Sequence, residues 1–122
     1  MPKVLIVEDD PFLSEIYATK FSEANFEVEL AADGKEAIKK AQAAKPDLIL
    51  LDIVLPKMDG FETLRQIKNN KELAAIKVVA LTNLGQKEEV EKGLALGADD
   101  YIVKAHFTPS EVVARVKNIL NK

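Results

Sequence analysis

Polar residues with complementary chemistry follow four apolar runs of strand length in this sequence. They are Glu8, Asp9, Asp10, Asp52, Thr82 and Lys104. Carboxylates that lie close together repel one another, and a hard divalent cation that prefers oxygen ligands is the simplest way to neutralise that repulsion. Mg²⁺ is the first choice for this cation. A metal beside a carboxylate, a hydroxyl and an ammonium forms a site for a phosphoryl group. These residue types therefore predict phosphoryl chemistry, provided that the fold brings them together.

Asp52 is the most informative of these residues, because the apolar run before it ends abruptly in this carboxylate and then in a loop with Pro56 and Gly60. A short apolar run bounded by turn residues is typical of a strand buried on both faces of a parallel sheet. Open α/β sheets place their sites at the carboxyl ends of such strands. Asp52 could therefore ligate a metal, attack an electrophile to give an acyl phosphate, or simply begin a turn.

The other polar residues also have structural explanations that need no site. The acidic run Glu8-Asp9-Asp10 could be a solvated cluster at the start of a helix, and Lys104 could be a surface lysine. Thr82 could bond its own backbone at the end of a strand. Their common position after apolar runs is what favours a shared site.

Five strand-length runs alternate with five amphipathic helices along the chain. The helices are predicted to begin at the capping residues Asp10, Asp33, Asp59 and Thr108, and a weaker fourth helix is predicted from about Gln86 to Leu96. The first helix is predicted to bury the stripe Leu13, Ile16, Tyr17, Phe21 and Ala24. The run Phe26–Leu30 alternates strictly between apolar and polar residues, as an edge strand does. Short connections favour an α/β fold with a parallel sheet covered by helices on both faces, which places the polar strand ends along one edge.

Composition limits the classes of function. The 122 residues suffice for one domain, and 48% hydrophobic with 30% charged residues is typical of a globular protein. A formal charge of −3 predicts no attraction to nucleic acid or to a membrane surface. The absence of cysteine excludes disulfides and thiol catalysis and fits a reducing compartment such as the cytoplasm. No apolar run exceeds four residues, so we expect neither a signal peptide nor a membrane span.

Jointly, these residues resemble the bacterial two-component response-regulator receiver domain, of the kind typified by the chemotaxis regulator. That family has an acidic pair after the first strand, a phosphoacceptor aspartate after the third, a threonine or serine after the fourth and a lysine after the fifth. The matching residues here are Glu8 with Asp9, Asp52, Thr82 and Lys104. The intervals of 30 and 52 residues from Asp52 to Thr82 and Lys104 also match. Tyr101, three residues before the lysine, falls at the aromatic switch position.

The resemblance covers essentially the whole chain and implies a single receiver domain over residues 1–122. It implies a three-layer, doubly wound, flavodoxin-like sheet with five strands in the order 2-1-3-4-5 and five helices. The domain would be either a stand-alone protein or one part of a longer chain. It would act as a cytoplasmic signalling phosphoacceptor rather than as an enzyme on an external substrate.

The resemblance also implies roles for the site residues. A sensor histidine kinase or a histidine phosphotransfer protein would present phosphohistidine, and Asp52 would accept the phosphoryl group. Mg²⁺ would be held by Asp9, Asp52 and the backbone carbonyl of Val54, with Glu8 acting through water. The phosphoryl oxygens would be contacted by Thr82 and Lys104. Movement of the threonine would let Tyr101 turn inward and alter the face of the fourth helix, fifth strand and fifth helix for an output partner that the sequence does not name.

Two departures from the family bear on this site. The family has a proline after the lysine, often through a cis bond, whereas Ala105 follows Lys104 here. A cis bond before any residue other than proline costs about 3 kcal/mol, so this bond is either trans or strained.

His106, the only histidine, lies in the same loop. We expect it to face solvent or to cap a helix rather than to bind a metal.

The second departure concerns water near the phosphoryl group. Asn83 follows Thr82 where the family has a small residue, and Leu84 comes next. By resemblance, Leu84 and Val54 flank the path of the water that would remove the phosphoryl group. Both are apolar, so we expect slow autodephosphorylation.

Two other classes of protein compete with this interpretation. An aspartate-nucleophile phosphatase of the haloacid dehalogenase type needs a second aspartate two residues after the nucleophile, where this chain has Val54. A phosphorylation-independent interaction module could share the receiver fold, and failure to bind Mg²⁺ would favour it. A nucleotide-binding domain is disfavoured, because no strand is followed by a glycine-rich phosphate loop.

Overall fold

A computed structural model describes residues 1–121. Its strands are β1 (Lys3–Val7), β2 (Glu27–Ala31), β3 (Leu48–Leu51), β4 (Lys77–Thr82) and β5 (Asp100–Val103). Its helices are α1 (Pro11–Glu23), α2 (Gly34–Ala44), α3 (Gly60–Asn69), α4 (Lys87–Ala95) and α5 (Pro109–Leu120). All strand pairs are parallel, and the order β2-β1-β3-β4-β5 confirms the predicted sheet.

Alternation of side chains along the central strands divides the core into two layers. Val4 and Ile6 of β1 pack with residues of α1 and α5, whereas Leu5 and Val7 pack with residues of α2 and α3. All four residues of β3 are buried, because this strand is covered on both faces. This burial explains the apolar run that precedes Asp52.

The predicted helix starts are confirmed. The N-cap positions are occupied by Asp10, Asp33, Asp59, Gln86 and Thr108. Thr108 and Glu111 form a reciprocal capping box, with backbone-to-side-chain distances of 2.8 and 3.2 Å. Local bonds of this kind fix where a helix begins after the carboxyl end of a strand.

The buried face of α1 agrees with the predicted stripe in part, since Tyr17 and Phe21 are buried and Leu13 and Ala24 pack against the core. Its buried residues are Ser14, Tyr17 and Phe21. The other members of the predicted stripe, Leu13, Ile16 and Ala24, are only half-buried. The observed set follows the i, i+3, i+7 spacing of one helix face, so α1 is rotated to turn the small Ser14 side chain inward.

Candidate functional site

Strand register brings the polar residues to one edge of the sheet. Val7 pairs with Leu51, and Thr82 pairs with Val103. Because parallel strands in register end at similar levels, the residues that end or follow these strands emerge side by side. They are Glu8, Asp52, Thr82 and Lys104.

Three carboxylates form an acidic cluster at this edge. Glu8, Asp9 and Asp52 each offer one oxygen, and these oxygens lie within 4.8 Å of one another. Glu8 and Asp52 are each 6% exposed, whereas Asp9 is exposed. Desolvation raises the pKa of Glu8, with a further contribution from the charge of Asp52. A set of close carboxylate oxygens with one open side fits a hard divalent cation.

Lys104 bridges two of these carboxylates. Its Nζ lies 2.5 Å from Oε1 of Glu8 and 3.0 Å from Oδ2 of Asp52. Burial by itself would lower the pKa of Lys104, but its hydrogen bonds to Glu8 and Asp52 outweigh that effect and raise it. The ammonium is therefore charged at neutral pH. The contact with Glu8 was not part of the sequence-based hypothesis.

The loop after β3 orients Asp52. The Val54 N–H donates to Oδ1 of Asp52 at 3.0 Å, and the Gly60 N–H donates to the carbonyl of Ile53 at 2.8 Å. A Cβ atom at position 60 would lie 2.4 Å from the carbonyl oxygen of Asp52 and 2.3 Å from Cα of Ile53. Glycine is therefore required where the start of α3 touches the backbone of the site.

Thr82 ends β4 at the same edge. It is fully buried, and its Oγ1 accepts a hydrogen bond from the Leu84 N–H at 3.4 Å. Within residues 1–121 no hydrogen bond joins Thr82 to Asp52 or Lys104. The hydroxyl thus makes the local backbone contact that is common at strand ends.

Tyr101 lies half-buried on β5, on the side of α4. Its hydroxyl donates to the carbonyl oxygen of Leu84 at 2.6 Å. Burial raises the pKa of Tyr101 to about 12, with smaller contributions from the charges of Glu89 and Asp52. Tyr101 and Thr82 therefore contact the same residue, since one bonds the carbonyl of Leu84 and the other its N–H.

The segment after Lys104 has alanine where the family has proline. No peptide bond among the described residues is cis, so the Lys104–Ala105 bond is trans. Residues Lys104–His106 form a single 3-10 turn. His106 is exposed, as predicted.

Sequence reasoning missed two residues beside the acidic pair. Glu36 and Lys40 of α2 line an open cleft of about 310 Å³, together with Glu8 and Asp9. Glu36 accepts a hydrogen bond from the Ala32 N–H at 2.7 Å. Their four-residue spacing showed that they share a helix face, but only the packing of α2 turns that face toward the site.

The five-stranded order and the five helices are those of the flavodoxin-like receiver fold. The chain belongs to the response regulator receiver domain family, whose family model matches residues 4–117. Domains of this family are signalling phosphoacceptors rather than classical enzymes, and they interact with histidine kinases or phosphotransfer proteins.

Comparison with individual proteins agrees with this assignment. The DNA-binding dual master transcriptional regulator RpaA of Synechocystis is 38% identical over 100% of this chain and 50% of its own length. The alkaline phosphatase synthesis transcriptional regulatory protein PhoP of Bacillus subtilis is 42% identical over 98% of this chain and 49% of its own. The chain thus spans about half the length of these curated relatives.

A solved structure matches over nearly its full length. The chemotaxis protein CheY4 of Vibrio cholerae has a TM-score of 0.91 and 33% identity, covering 98% of each chain. Among residues 1–121, no helix combines the length and the apolar character needed to cross a membrane.

Proposed function

We propose that Asp52 accepts a phosphoryl group from the phosphohistidine of a sensor histidine kinase or a histidine phosphotransfer protein. The supporting observation is the placement of its carboxylate, 3.0 Å from the Lys104 ammonium and within the cluster of Glu8 and Asp9. An Oδ atom of Asp52 attacks phosphorus in line. The bond between phosphorus and the histidine nitrogen breaks, a phosphorus–oxygen bond forms, and the imidazole takes up a proton. The product is an acyl phosphate.

Lys104 and Thr82 stabilise the phosphoryl group in this proposal. The Lys104 ammonium already contacts Asp52, so it needs only to shift within the same pocket to reach a phosphoryl oxygen. The hydrogen bond that Thr82 accepts from the Leu84 N–H is long, at 3.4 Å. A weak bond of this kind is exchanged at low cost for one that the hydroxyl donates to a phosphoryl oxygen.

Asp9, Asp52 and the backbone carbonyl of Val54 would hold Mg²⁺, with Glu8 acting through a water molecule. The clustered carboxylate oxygens fit this cation, and the exposed Asp9 leaves the cluster accessible from solvent. When bound, the ion neutralises charge on the phosphoryl oxygens.

Phosphorylation would act by shifting the population of a two-state face formed by α4, β5 and α5. Thr82 and Tyr101 are the proposed moving parts, and both bond the backbone of Leu84. A movement of Thr82 toward the phosphoryl group therefore frees the Leu84 N–H and shifts the carbonyl on which Tyr101 is held. Tyr101 would then turn further inward.

We take residues 1–122 as one receiver domain that acts through protein contact in the cytoplasm. Its target would be an output protein or an output domain in the same chain. The relatives RpaA and PhoP are transcriptional regulators about twice as long as this chain. The formal charge of −3 makes direct nucleic-acid binding by this domain unfavourable.

The domain would carry out only its own phosphorylation and a slow autodephosphorylation. Val54 is 58% exposed and Leu84 is half-buried, and neither side chain can hydrogen-bond an attacking water. The same Val54 stands where a phosphatase of the haloacid dehalogenase type needs its second aspartate, which argues against turnover of an external phosphate ester.

Intact-protein mass after incubation with Mg²⁺ and acetyl phosphate tests the proposal. We expect a phosphate-sized increase that disappears in EDTA and in the isosteric variant Asp52→Asn. Circular dichroism of both proteins checks that they are folded. No increase in the folded wild-type protein would overturn the proposal and favour an interaction module that works without phosphorylation.

A further inference from the structure

A contact between α3 and α4 lies outside the site described above. The Lys92 ammonium of α4 lies over the ring of Phe61 of α3, with Nζ 4.5 Å from the ring centroid. A cation at this distance is attracted by the negative face of the ring. The contact therefore holds the middle of α4 against the start of α3.

The start of α3 is in turn fixed to the loop of Asp52. Phe61 directly follows Gly60, whose N–H donates to the carbonyl of Ile53 at 2.8 Å. The Gly60 backbone lies so close to the carbonyl of Asp52 that a Cβ atom would approach it to 2.4 Å. A shift of the Asp52 backbone must therefore carry the beginning of α3, and Phe61 with it.

The same turn of α4 contacts the proposed switch residue. Gly93 is buried against the ring of Tyr101, since a Cβ atom at position 93 would lie 2.8 Å from Cδ2 and 2.9 Å from Cε2 of that ring. This Cβ position is also 3.8 Å from Cε1 of Phe61. Lys92 and Gly93 thus join Phe61 on one side to Tyr101 on the other.

We propose that Phe61 and Lys92 are positioning residues that set the orientation of α4 and thereby the environment of Tyr101. They connect the Asp52 loop to the switch face by a route that does not pass through Thr82. The inference rests on the proposed function in taking Tyr101 as the switch residue. Its physical content is that Tyr101 keeps its bond to Leu84 only while α4 is held against Phe61.

Fluorine NMR of protein labelled with 3-fluorotyrosine reads the environment of Tyr101 directly. The chain has only two tyrosines, and Tyr101→Phe assigns the resonances. The test variant Lys92→Met keeps most of the side-chain stem and removes the charge. The control Lys87→Met removes a charge from the same helix at a lysine whose side chain is 84% exposed and whose partner is Glu91.

Tyr101 has two environments in this proposal: bonded to Leu84, or turned inward. We expect Lys92→Met, but not Lys87→Met, to change the ratio of their populations by about two- to fivefold, the range that an exposed cation–π contact supports. The variant Lys92→Arg should keep the wild-type spectrum, because arginine also stacks on an aromatic ring. Phe61→Leu should reproduce the effect of Lys92→Met, whereas Phe61→Tyr should not. Identical Tyr101 spectra in Lys92→Met, Phe61→Leu and Lys87→Met would overturn the inference.

The spectra are recorded first without acetyl phosphate, so that they report on α4 whether or not Asp52 can be phosphorylated. They are then recorded with Mg²⁺ and acetyl phosphate, with the mass increase measured on the same samples. If the wild-type protein gains no phosphate but Lys92→Met changes the Tyr101 spectrum, the result contradicts the proposed function and leaves the positioning role standing. If the wild-type protein gains phosphate but Lys92→Met leaves the Tyr101 spectrum unchanged, the result contradicts only the positioning role.

Discussion

The ammonium of Lys104 lies 2.5 Å from Oε1 of Glu8, although 96 residues separate the two in the sequence. The contact is largely buried, with side-chain exposures of 12% for Lys104 and 4% for Glu8. The acidic pair after β1 therefore consists of two different carboxylates. Glu8 is a buried partner of the lysine, whereas its neighbour Asp9 is exposed and available to a cation.

Replacing Glu8 with glutamine should remove one component of the pH dependence of stability. The pKa of Glu8 is raised in the folded protein, first by desolvation, above a value of about 4.3 in the unfolded chain. Between these two pKa values the folded state binds more protons than the unfolded state. Protonation of Glu8 therefore stabilises the folded state. This contribution to the free energy of unfolding is fully present below the unfolded pKa and is lost as the pH rises through the folded pKa. In Glu8→Gln this loss should be absent.

Urea denaturation of both proteins in EDTA, at pH values from below the unfolded pKa of Glu8 up to neutrality, measures this difference. The surface acids Asp33, Glu62 and Glu111 have lowered pKa values, which give the opposite slope. They are present in both proteins, so their contribution cancels in the difference. Parallel pH profiles for wild type and Glu8→Gln would contradict the raised pKa of Glu8.

Asp9 and Asp10 are adjacent acids for which the structure predicts different roles. We expect Asp9→Asn to weaken Mg²⁺ binding by at least about tenfold, since one of three clustered carboxylates is lost. Asp10 caps α1, its Oδ1 accepting from the Phe12 N–H at 2.9 Å. Asparagine caps a helix as well as aspartate does, so Asp10→Asn should bind Mg²⁺ nearly as the wild type does. Calorimetric titration with MgCl₂ compares the two, and equal weakening would show that Asp9 is not a ligand.

Gly60→Ala should disrupt the loop that orients Asp52. Its Cβ would overlap the backbone of Ile53, with a distance of 2.3 Å to Cα, and backbone cannot move aside cheaply. We expect a loss of about 2 kcal/mol or more in the free energy of unfolding. Gly85→Ala is the matched control, because its Cβ would meet only side-chain atoms of Val103, the nearest at 3.2 Å. Urea denaturation measures both variants, and equal losses would refute the close-contact explanation.

Polar residues at positions 54 and 84 should accelerate loss of the phosphoryl group. We expect the double variant Val54→Asn, Leu84→Gln to lose phosphate about tenfold faster, which corresponds to about 1.4 kcal/mol of transition-state stabilisation. The measurement is the decay of the phosphorylated mass after removal of acetyl phosphate. Leu94→Gln changes another exposed apolar residue, 48% exposed on α4, and should leave the rate unchanged. A double variant that decays at the wild-type rate would contradict the account of water exclusion.

Local patterns in the sequence predicted most of the fold. Apolar runs such as Leu48–Leu51 predicted buried parallel strands, because a strand covered on both faces has no polar side. Capping residues such as Asp59 predicted helix starts, because a cap acts over three or four residues of chain. The face of α1 was predicted less well. Ser14 is buried and Ile16 is half-exposed, since the rotation of a helix depends on what it packs against.

The sequence by itself determined that the polar residues meet at one edge, because parallel strands all end there and each residue immediately ends or follows its strand. Only the tertiary structure decided which of them touch. Lys104 contacts Glu8 as well as Asp52, while the Thr82 hydroxyl accepts a hydrogen bond from the Leu84 N–H. The contact between Phe61 and Lys92 likewise had no sequence signal. Such pairings depend on side-chain rotamers and on the packing of one helix against another, and no local pattern encodes either.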